Sequence, residues 1–217
     1  MFDSLSVTPL AVVLAIAGGV WGFVADRIAA RWPEHEDGSV RPIDWRTPVV
    51  VVIGALVMGD LTLRFPDPVP ALIFGAYSAV LVLLLATDLD QRLLPNEFTL
   101  PAIPIVLVID IAGLNPLVPV ADLPIALAVA LIIPGILLLV SIPFGAGAIG
   151  LGDIKLLVSV GLLAGAYRLF IGVLYGALLA GAVIILLLVL RRITLKTFIP
   201  FGPFLIIGAL WTIFAIH

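Results

Sequence analysis

The residues in this chain that could do chemistry are carboxylates at the ends of apolar segments. The segment ATDLDQRLLPN (86–96) places Asp88 and Asp90 directly after a long apolar run. These two carboxylates lie about 200° apart on a helix, so both cannot face one site. Pro95 disfavours helix in the residue before it, and Asn96 is a good N-cap for a following helix. Taken alone, the segment is also typical of an ordinary turn between helices with solvated aspartates.

A glycine-rich segment carries the second candidate carboxylate. The segment GAGAIGLGDIKLL (145–157) has four glycines before Asp153, which indicates a backbone that bends or approaches something closely. Asp153 then begins an apolar helix, where the positive end of the helix dipole favours its charge. The segment lacks the Lys-Ser/Thr pair and the preceding strand of a phosphate-binding loop. An aspartate that merely starts a helix after a glycine-rich loop is the alternative.

Composition decides what kind of protein holds these carboxylates. Of the 217 residues, 63% are hydrophobic, 11 are basic and 14 are acidic, and the mean hydropathy is +1.31. A soluble domain of 22.9 kDa has too little interior to bury so many apolar side chains. We therefore exclude a soluble globular enzyme and predict an all-α integral membrane protein. The small net charge of −3 and the lack of a basic patch argue against a nucleic-acid partner.

Cysteine and histidine usage limits the available chemistry further. The chain has no cysteine and only two histidines, His35 and His217. Disulfides, thiolate metal sites and cysteine nucleophiles are therefore excluded, and a histidine metal site or a Ser-His-Asp triad is disfavoured. We expect neither a metal nor a cofactor.

Eight apolar segments are long enough to be membrane-spanning helices, and none has the alternation of a strand. The first lacks the positive charge of a signal peptide, so we expect it to remain as a helix. The segments 153–167 and 169–190 could also form one broken helix. We predict one polytopic domain over 1–217, with a solvated loop at 26–46 and spans at 8–25, 47–64, 69–87, 97–114, 122–143, 153–167, 169–190 and 199–216.

The distribution of lysine and arginine predicts the orientation of these spans. With the N-terminus outside, the outer loops hold only Arg64 and Arg168. The cytoplasmic loops then hold the other nine basic residues, which are Arg27, Arg31, Arg41, Arg46, Arg92, Lys155, Arg191, Arg192 and Lys196. This arrangement places the chain near residues 90, 150 and 195 on the cytoplasmic side.

The same orientation puts Asp88 and Asp153 on one membrane face, each at a helix end. Two carboxylates that share a site do not both ionise cheaply, so one keeps a proton near neutral pH. Such a pair supplies a general base for water and a general acid for a leaving amine, as in aspartic proteases. Asp60 and Asp110 are isolated acids near span ends, and polar packing contacts are the favoured interpretation for both.

Three motifs in this order resemble the type IV prepilin peptidases, membrane aspartic proteases of the GxGD kind. They are DLDQRLLPN (88–96), GLGDIKLL (150–157) and IPFGPF (199–204). The stretch GFVADRIAARWP (22–33) also resembles the first helix of this family and its exit, although Asp26 stands where asparagine is more usual. The resemblance implies that Asp88 and Asp153 are the two catalytic aspartates. It also implies cleavage of the leader from pilin-like precursors at the cytoplasmic face of the bacterial inner membrane, in type IV pilus assembly or protein secretion.

Other motif residues are expected to support the site. Gly150 and Gly152 would let a substrate backbone approach Asp153, and Lys155 is predicted to point away from the carboxylates and extend to the lipid headgroups. Pro95 and Asn96 shape the turn after Asp88. Interrupted backbone at membrane depth is tolerated only where it is buried or lines a cavity, so we expect a wall of the site at Pro200, Gly202 and Pro203.

One departure from the family concerns the segment 26–46. Longer bacterial members have a zinc domain with two Cys-x-x-Cys pairs at this place, and it accompanies N-methylation of the mature pilin. The short cysteine-free loop here leaves the peptidase activity in place and puts the methyltransferase activity in doubt.

Two other functions remain open from the sequence. A presenilin-type intramembrane protease shares GxGD, but no Tyr-Asp pair precedes the GxGD helix. A proton- or cation-coupled transporter would use Asp60, Asp88, Asp110 and Asp153 along an ion path, but the chain shows no paired halves. The particular precursor, the oligomeric state and the roles of Asp26, Asp60 and Asp110 do not follow from the sequence.

Overall fold

The computed structural model describes residues 9–34, 38–142, 150–194 and 200–215, and the regular secondary structure of these residues is helical, with no strand among them. This confirms the prediction of an all-α protein. The described residues form seven α-helices, and a short 3₁₀ helix at Val120–Asp122 precedes the fifth. These are α1 (Pro9–Ala29), α2 (Arg46–Arg64), α3 (Pro68–Gln91), α4 (Asn96–Ile111), α5 (Leu123–Ser141), α6 (Leu151–Val189) and α7 (Gly202–Ala215).

Length and composition identify the helices that can cross a membrane. Five helical stretches of the described chain qualify, and α7 is apolar but shorter. A crossing needs about 20 apolar residues. The protein is therefore an all-α membrane protein, whereas the number of eight spans stays a prediction. The five stretches are Pro9–Ala29, Arg46–Arg64, Pro68–Gln91, Val120–Ser141 and Leu151–Val189.

The chain divides into two compact units after Gln91, and the assignment of 1–217 to one domain stays a prediction. In the first unit, α1 and α2 cross in close contact. A Cβ on Gly18 would lie 2.2 Å from the carbonyl oxygen of Gly54, so only glycine allows this approach. Trp21 Nε1 donates to the carbonyl of Ala79 at 2.9 Å and attaches α3 to α1.

The second unit contains α4 to α7, and α6 is broken inside. Gly165 has φ +82° and ψ 170° between two helical parts. Leu169 Cδ2 lies 2.8 Å from the position of a Cβ on Gly161, whereas residues eight apart in a straight helix are separated by about 12 Å. The chain therefore turns back sharply at Gly165. The two helical parts correspond to the predicted segments 153–167 and 169–190, with the break at Gly165 instead of at residue 168.

A polar contact stabilises this break. Asn115 Nδ2 donates to the carbonyl of Leu163 at 2.9 Å and to Asp110 Oδ1 at 2.7 Å. Asp110 and Asn115 are buried. A backbone carbonyl next to a helix break needs such a partner in a membrane protein. Asp110 thus makes the packing contact predicted for it.

The second part of α6 packs against α7 through small residues. A Cβ on Gly208 would lie 2.2 Å from the carbonyl oxygen of Gly172, and a Cβ on Gly176 would lie 2.7 Å from that of Phe204. Dispersion between closely packed backbones holds helices together where water supplies no driving force.

This packing predicts opposite effects of the same substitution in α6. Gly176→Ala places a methyl group against backbone and should destabilise the protein by about 1–3 kcal/mol. Gly181→Ala is the matched control, since no atom lies within 4 Å of its Cβ position, and its better helix propensity should leave stability equal or raised. Thermal unfolding in detergent measures both. Equal midpoints for the two variants would contradict this packing.

Candidate active site

Asp88 lies in the last turn of α3. The helix continues to Gln91, past the predicted end at residue 87. Asp88 is buried, with 4% of its surface exposed, among the buried residues of the same helix. The turn with solvated aspartates is therefore wrong for this position. Burial of an acidic side chain at the end of an apolar helix is costly and marks it as a functional candidate.

Asp153 occupies the first turn of α6, which begins at Leu151. The backbone N–H of Gly150 donates to Asp153 Oδ2 at 3.1 Å, and the helix dipole adds to this stabilisation. Asp153 is buried, with 8% of its surface exposed. Within the described residues, Oδ1 accepts no hydrogen bond. Gly145 and Gly147 of the same motif lie outside the described residues.

Residues 94–96 pack against the start of α6. The Cβ of Leu94 lies 2.9 Å from the position of a Cβ on Gly152, which explains the glycine there. Lys155 Nζ donates to Asn96 Oδ1 at 2.6 Å. This hydrogen bond links the starts of α4 and α6. The extension of Lys155 to the headgroups stays a prediction.

Asn96 does not cap α4 as predicted. The N-cap position belongs to Pro95, whose φ of −58° and ψ of 133° are non-helical, and Asn96 is the first helical residue. The Pro95 carbonyl accepts hydrogen bonds from the backbone N–H and the hydroxyl of Thr99. Because Pro95 already starts the helix, the Asn96 side chain is free to accept from Lys155.

The helix α7 begins at Gly202, with Pro203 in its first turn. A proline there sacrifices no helical hydrogen bond, since the first N–H groups of a helix have no partner. The sequence had suggested that these two residues interrupt the last helix. In the structure they start α7 instead. Both are buried, and Pro200 precedes the helix. Their role as a wall of the site stays a prediction.

An ionic cluster in the first unit was missed by sequence reasoning. It consists of Asp26, Arg27, Arg41, Asp44, Arg46 and Asp90. Arg41 pairs with Asp26, contacts Asp44 at 2.6 Å and contacts Asp90 at 2.7 Å. Asp26 is 0% exposed and Arg41 is 9% exposed. The prediction of a solvated loop over 26–46 is therefore wrong for its charged core.

Further contacts complete this ionic cluster. Arg27 Nε donates to Asp26 Oδ2 at 3.0 Å, and the Thr47 hydroxyl donates to the same oxygen at 2.8 Å. Burial by itself lowers the pKa of the Arg41 guanidinium, but the hydrogen bond and charge of Asp26, with the charge of Asp90, outweigh burial and raise that pKa. The near balance of both charge signs within 26–46 was the signal in the sequence.

The described residues contain no group of three His, Cys, Asp or Glu side chains that could hold a metal ion. The catalytic candidates predicted from the sequence are the buried carboxyls of Asp88, in the first unit, and Asp153, in the second. Buried carboxyls can activate water and protonate a leaving group.

Comparisons with known proteins support this chemistry. A family model described as the type IV leader peptidase family matches residues 74–186. A protein named prepilin leader peptidase/N-methyltransferase from Burkholderia pseudomallei strain 1026b is 34% identical over 175 residues, covering 80% of this chain and 56% of that protein. A protein of the same name from Pseudomonas putida is 31% identical, covering 76% of this chain and 57% of that protein. Another from Aeromonas hydrophila is 32% identical, covering 79% of this chain and 59% of that protein.

The chain thus spans a little over half the length of these curated relatives. No solved structure gives a significant match. The matched range 74–186 contains both aspartate motifs, and it favours the leader-peptidase interpretation over the presenilin-type protease and the transporter. The apolar helices and the bacterial relatives together indicate a bacterial inner-membrane protein. By its sequence match over both motifs, the chain belongs to the type IV leader peptidase family.

Proposed function

We propose that this protein is a membrane aspartic endopeptidase that removes the leader from type IV prepilin-like precursors. The observation that carries the proposal is the presence of two buried carboxyls, Asp88 and Asp153, at helix ends inside the range that matches the family. The relatives are named prepilin leader peptidases. The proposal covers the peptidase reaction only, because the segment between α1 and α2 has no cysteine pair.

Residues that follow Asp88 in the chain pack close to Asp153 within the second unit. Leu94 packs on Gly152, next to Asp153, and Asn96 binds Lys155 in the first turns of α6. Asp88 precedes Leu94 by only six residues along the chain. The pairing of Asp88 with Asp153 is part of the proposal, and the family match over both motifs supports it.

In the proposed reaction, an ionised carboxyl takes a proton from water, and the oxygen attacks the scissile carbonyl carbon. The second carboxyl, which carries a proton, delivers it to the amide nitrogen as the C–N bond breaks. The products are the free leader carboxylate and a new amino terminus. Asp153 Oδ2 is held by the backbone N–H of Gly150.

Positioning of the substrate would come from the bilayer. A pilin-like precursor with a basic leader and an apolar helix would place that helix in the lipid beside the enzyme. Holding the scissile bond next to the carboxyls in this way is worth several kcal/mol of the barrier. With the N-terminus outside, the cut occurs at the cytoplasmic face.

Loss of either carboxyl should abolish the cleavage. We expect Asp88→Asn and Asp153→Asn each to lower the rate by about 10²–10⁴-fold, since each removes one half of the acid–base pair. Asp67→Asn changes an exposed acid at another helix start and should retain full activity. Purified protein is incubated with a precursor in detergent, and mass spectrometry identifies the products. Full activity of both site variants would refute the proposal.

The reaction should not depend on a metal ion. Carboxyls alone activate the water in this mechanism, so cleavage in EDTA should proceed at the rate without chelator. The same precursor assay measures this. A loss of activity in EDTA that zinc restores would contradict the two-carboxyl mechanism.

The orientation predicts which positions react from outside the cell. The chain has no cysteine, so single cysteines report their side without background. Asp67→Cys, between α2 and α3, should react with an impermeant thiol reagent on intact cells, and Leu93→Cys, after α3, should react only after lysis. The opposite pattern would invert the proposed topology.

A further inference from the structure

We infer that the ionic cluster is a positioning device for Asp88. Its arginines hold the last turn of α3, which carries that carboxyl. This inference rests on the proposed function, because it assigns the cluster a part in the cleavage reaction. Arg41 and Asp90 are its central members and act as positioning residues.

The last turn of α3 has an unfavourable concentration of negative charge that residues from outside the helix must balance. The negative end of a helix dipole lies at the C-terminus, where acidic side chains are unfavourable. The last turn of α3 nevertheless holds Asp88 and Asp90, and it contains no basic residue. Without added positive charge, this turn would carry two carboxyls and a set of unpaired carbonyls.

The loop before α2 and the start of α2 supply the missing positive charge. Asp90 Oδ1 contacts Arg41 Nε at 2.7 Å and Arg46 Nη1 at 3.2 Å. The Asp90 side chain is only 3% exposed, so these pairs are little screened by solvent. Two arginines from outside α3 therefore fix the residue that lies two positions after Asp88.

A second set of contacts holds the same turn from another side. Gln91 Nε2 donates to the carbonyl of Pro33 at 2.6 Å. The exit of α1 therefore binds the last residue of α3 as well. With Asp90 and Gln91 both held, the turn that contains Asp88 cannot fray as a free helix end does.

The ionic cluster contains equal numbers of positive and negative side chains. Three arginines, Arg27, Arg41 and Arg46, face three aspartates, Asp26, Asp44 and Asp90, and all six make ion pairs within the cluster. Asp90 is the member that belongs to α3, and through Asp90 the cluster holds the last turn of that helix.

The test combines hydrogen exchange with kinetics on the full chain. In Arg41→Gln and Asp90→Asn, we expect amides of the segment 86–92 to exchange at least ten times faster than in the wild type. We also expect kcat to fall about tenfold or more, with KM within threefold of the wild-type value. Arg31→Gln is the matched control, because it removes an exposed arginine close to the same loop. It should change neither quantity.

Two further variants distinguish a loss of positioning from a general loss of stability. Arg41→Lys keeps one positive charge beside Asp90 and should recover part of the lost kcat. If Arg41→Gln does not fold, Arg46→Gln serves instead, since that side chain is 26% exposed and its loss should be tolerated.

The outcomes are distinguishable. Unchanged exchange of 86–92 in the cluster variants overturns the inference, as does an equal loss of kcat in Arg31→Gln. If the wild-type protein cleaves no precursor, the proposed function fails. The exchange rates then still show whether the cluster holds the end of α3.

Discussion

Hydrocarbon supplies neither hydrogen bonds nor counter-charges, so each polar group of a spanning segment must find its partner inside the protein. This constraint explains the buried polar contacts of the apolar helices. Asp110 is buried in α4 and receives a hydrogen bond from Asn115, which also serves the carbonyl of Leu163 beside the break in α6. Asp26 is fully buried in α1 and is bound by two arginines and a threonine.

The same constraint changes what holds the helices together. Apolar side chains gain little by leaving lipid for protein, and close backbone contact replaces the hydrophobic effect as the main source of specificity. Gly18 with Gly54 in the first unit and Gly172 with Gly208 in the second provide this contact. Each unit thereby gains one closely packed helix pair, α1 with α2 in the first and the second part of α6 with α7 in the second.

The two carboxyls occupy opposite positions relative to their helix dipoles. Asp153 lies in the first turn of α6, at the positive end, and accepts a backbone hydrogen bond from Gly150. Asp88 lies in the last turn of α3, at the negative end, where the dipole opposes its charge. Two chemically identical carboxyls need different environments if one is to act as the acid and the other as the base. The arginines that contact Asp90 offset the negative charge at this end of α3.

The sequence by itself determined the class of fold and the candidate carboxyls. Apolar segments of spanning length can only be helices in a membrane, and the two motifs fix Asp88 and Asp153 at helix ends. Tertiary structure alone decided which other polar residues are buried and what they bind. Arg41 lies 15 residues from Asp26, and Lys155 lies 59 residues from Asn96. Such pairs leave no mark on local periodicity, because they arise only when helices distant in the chain pack together.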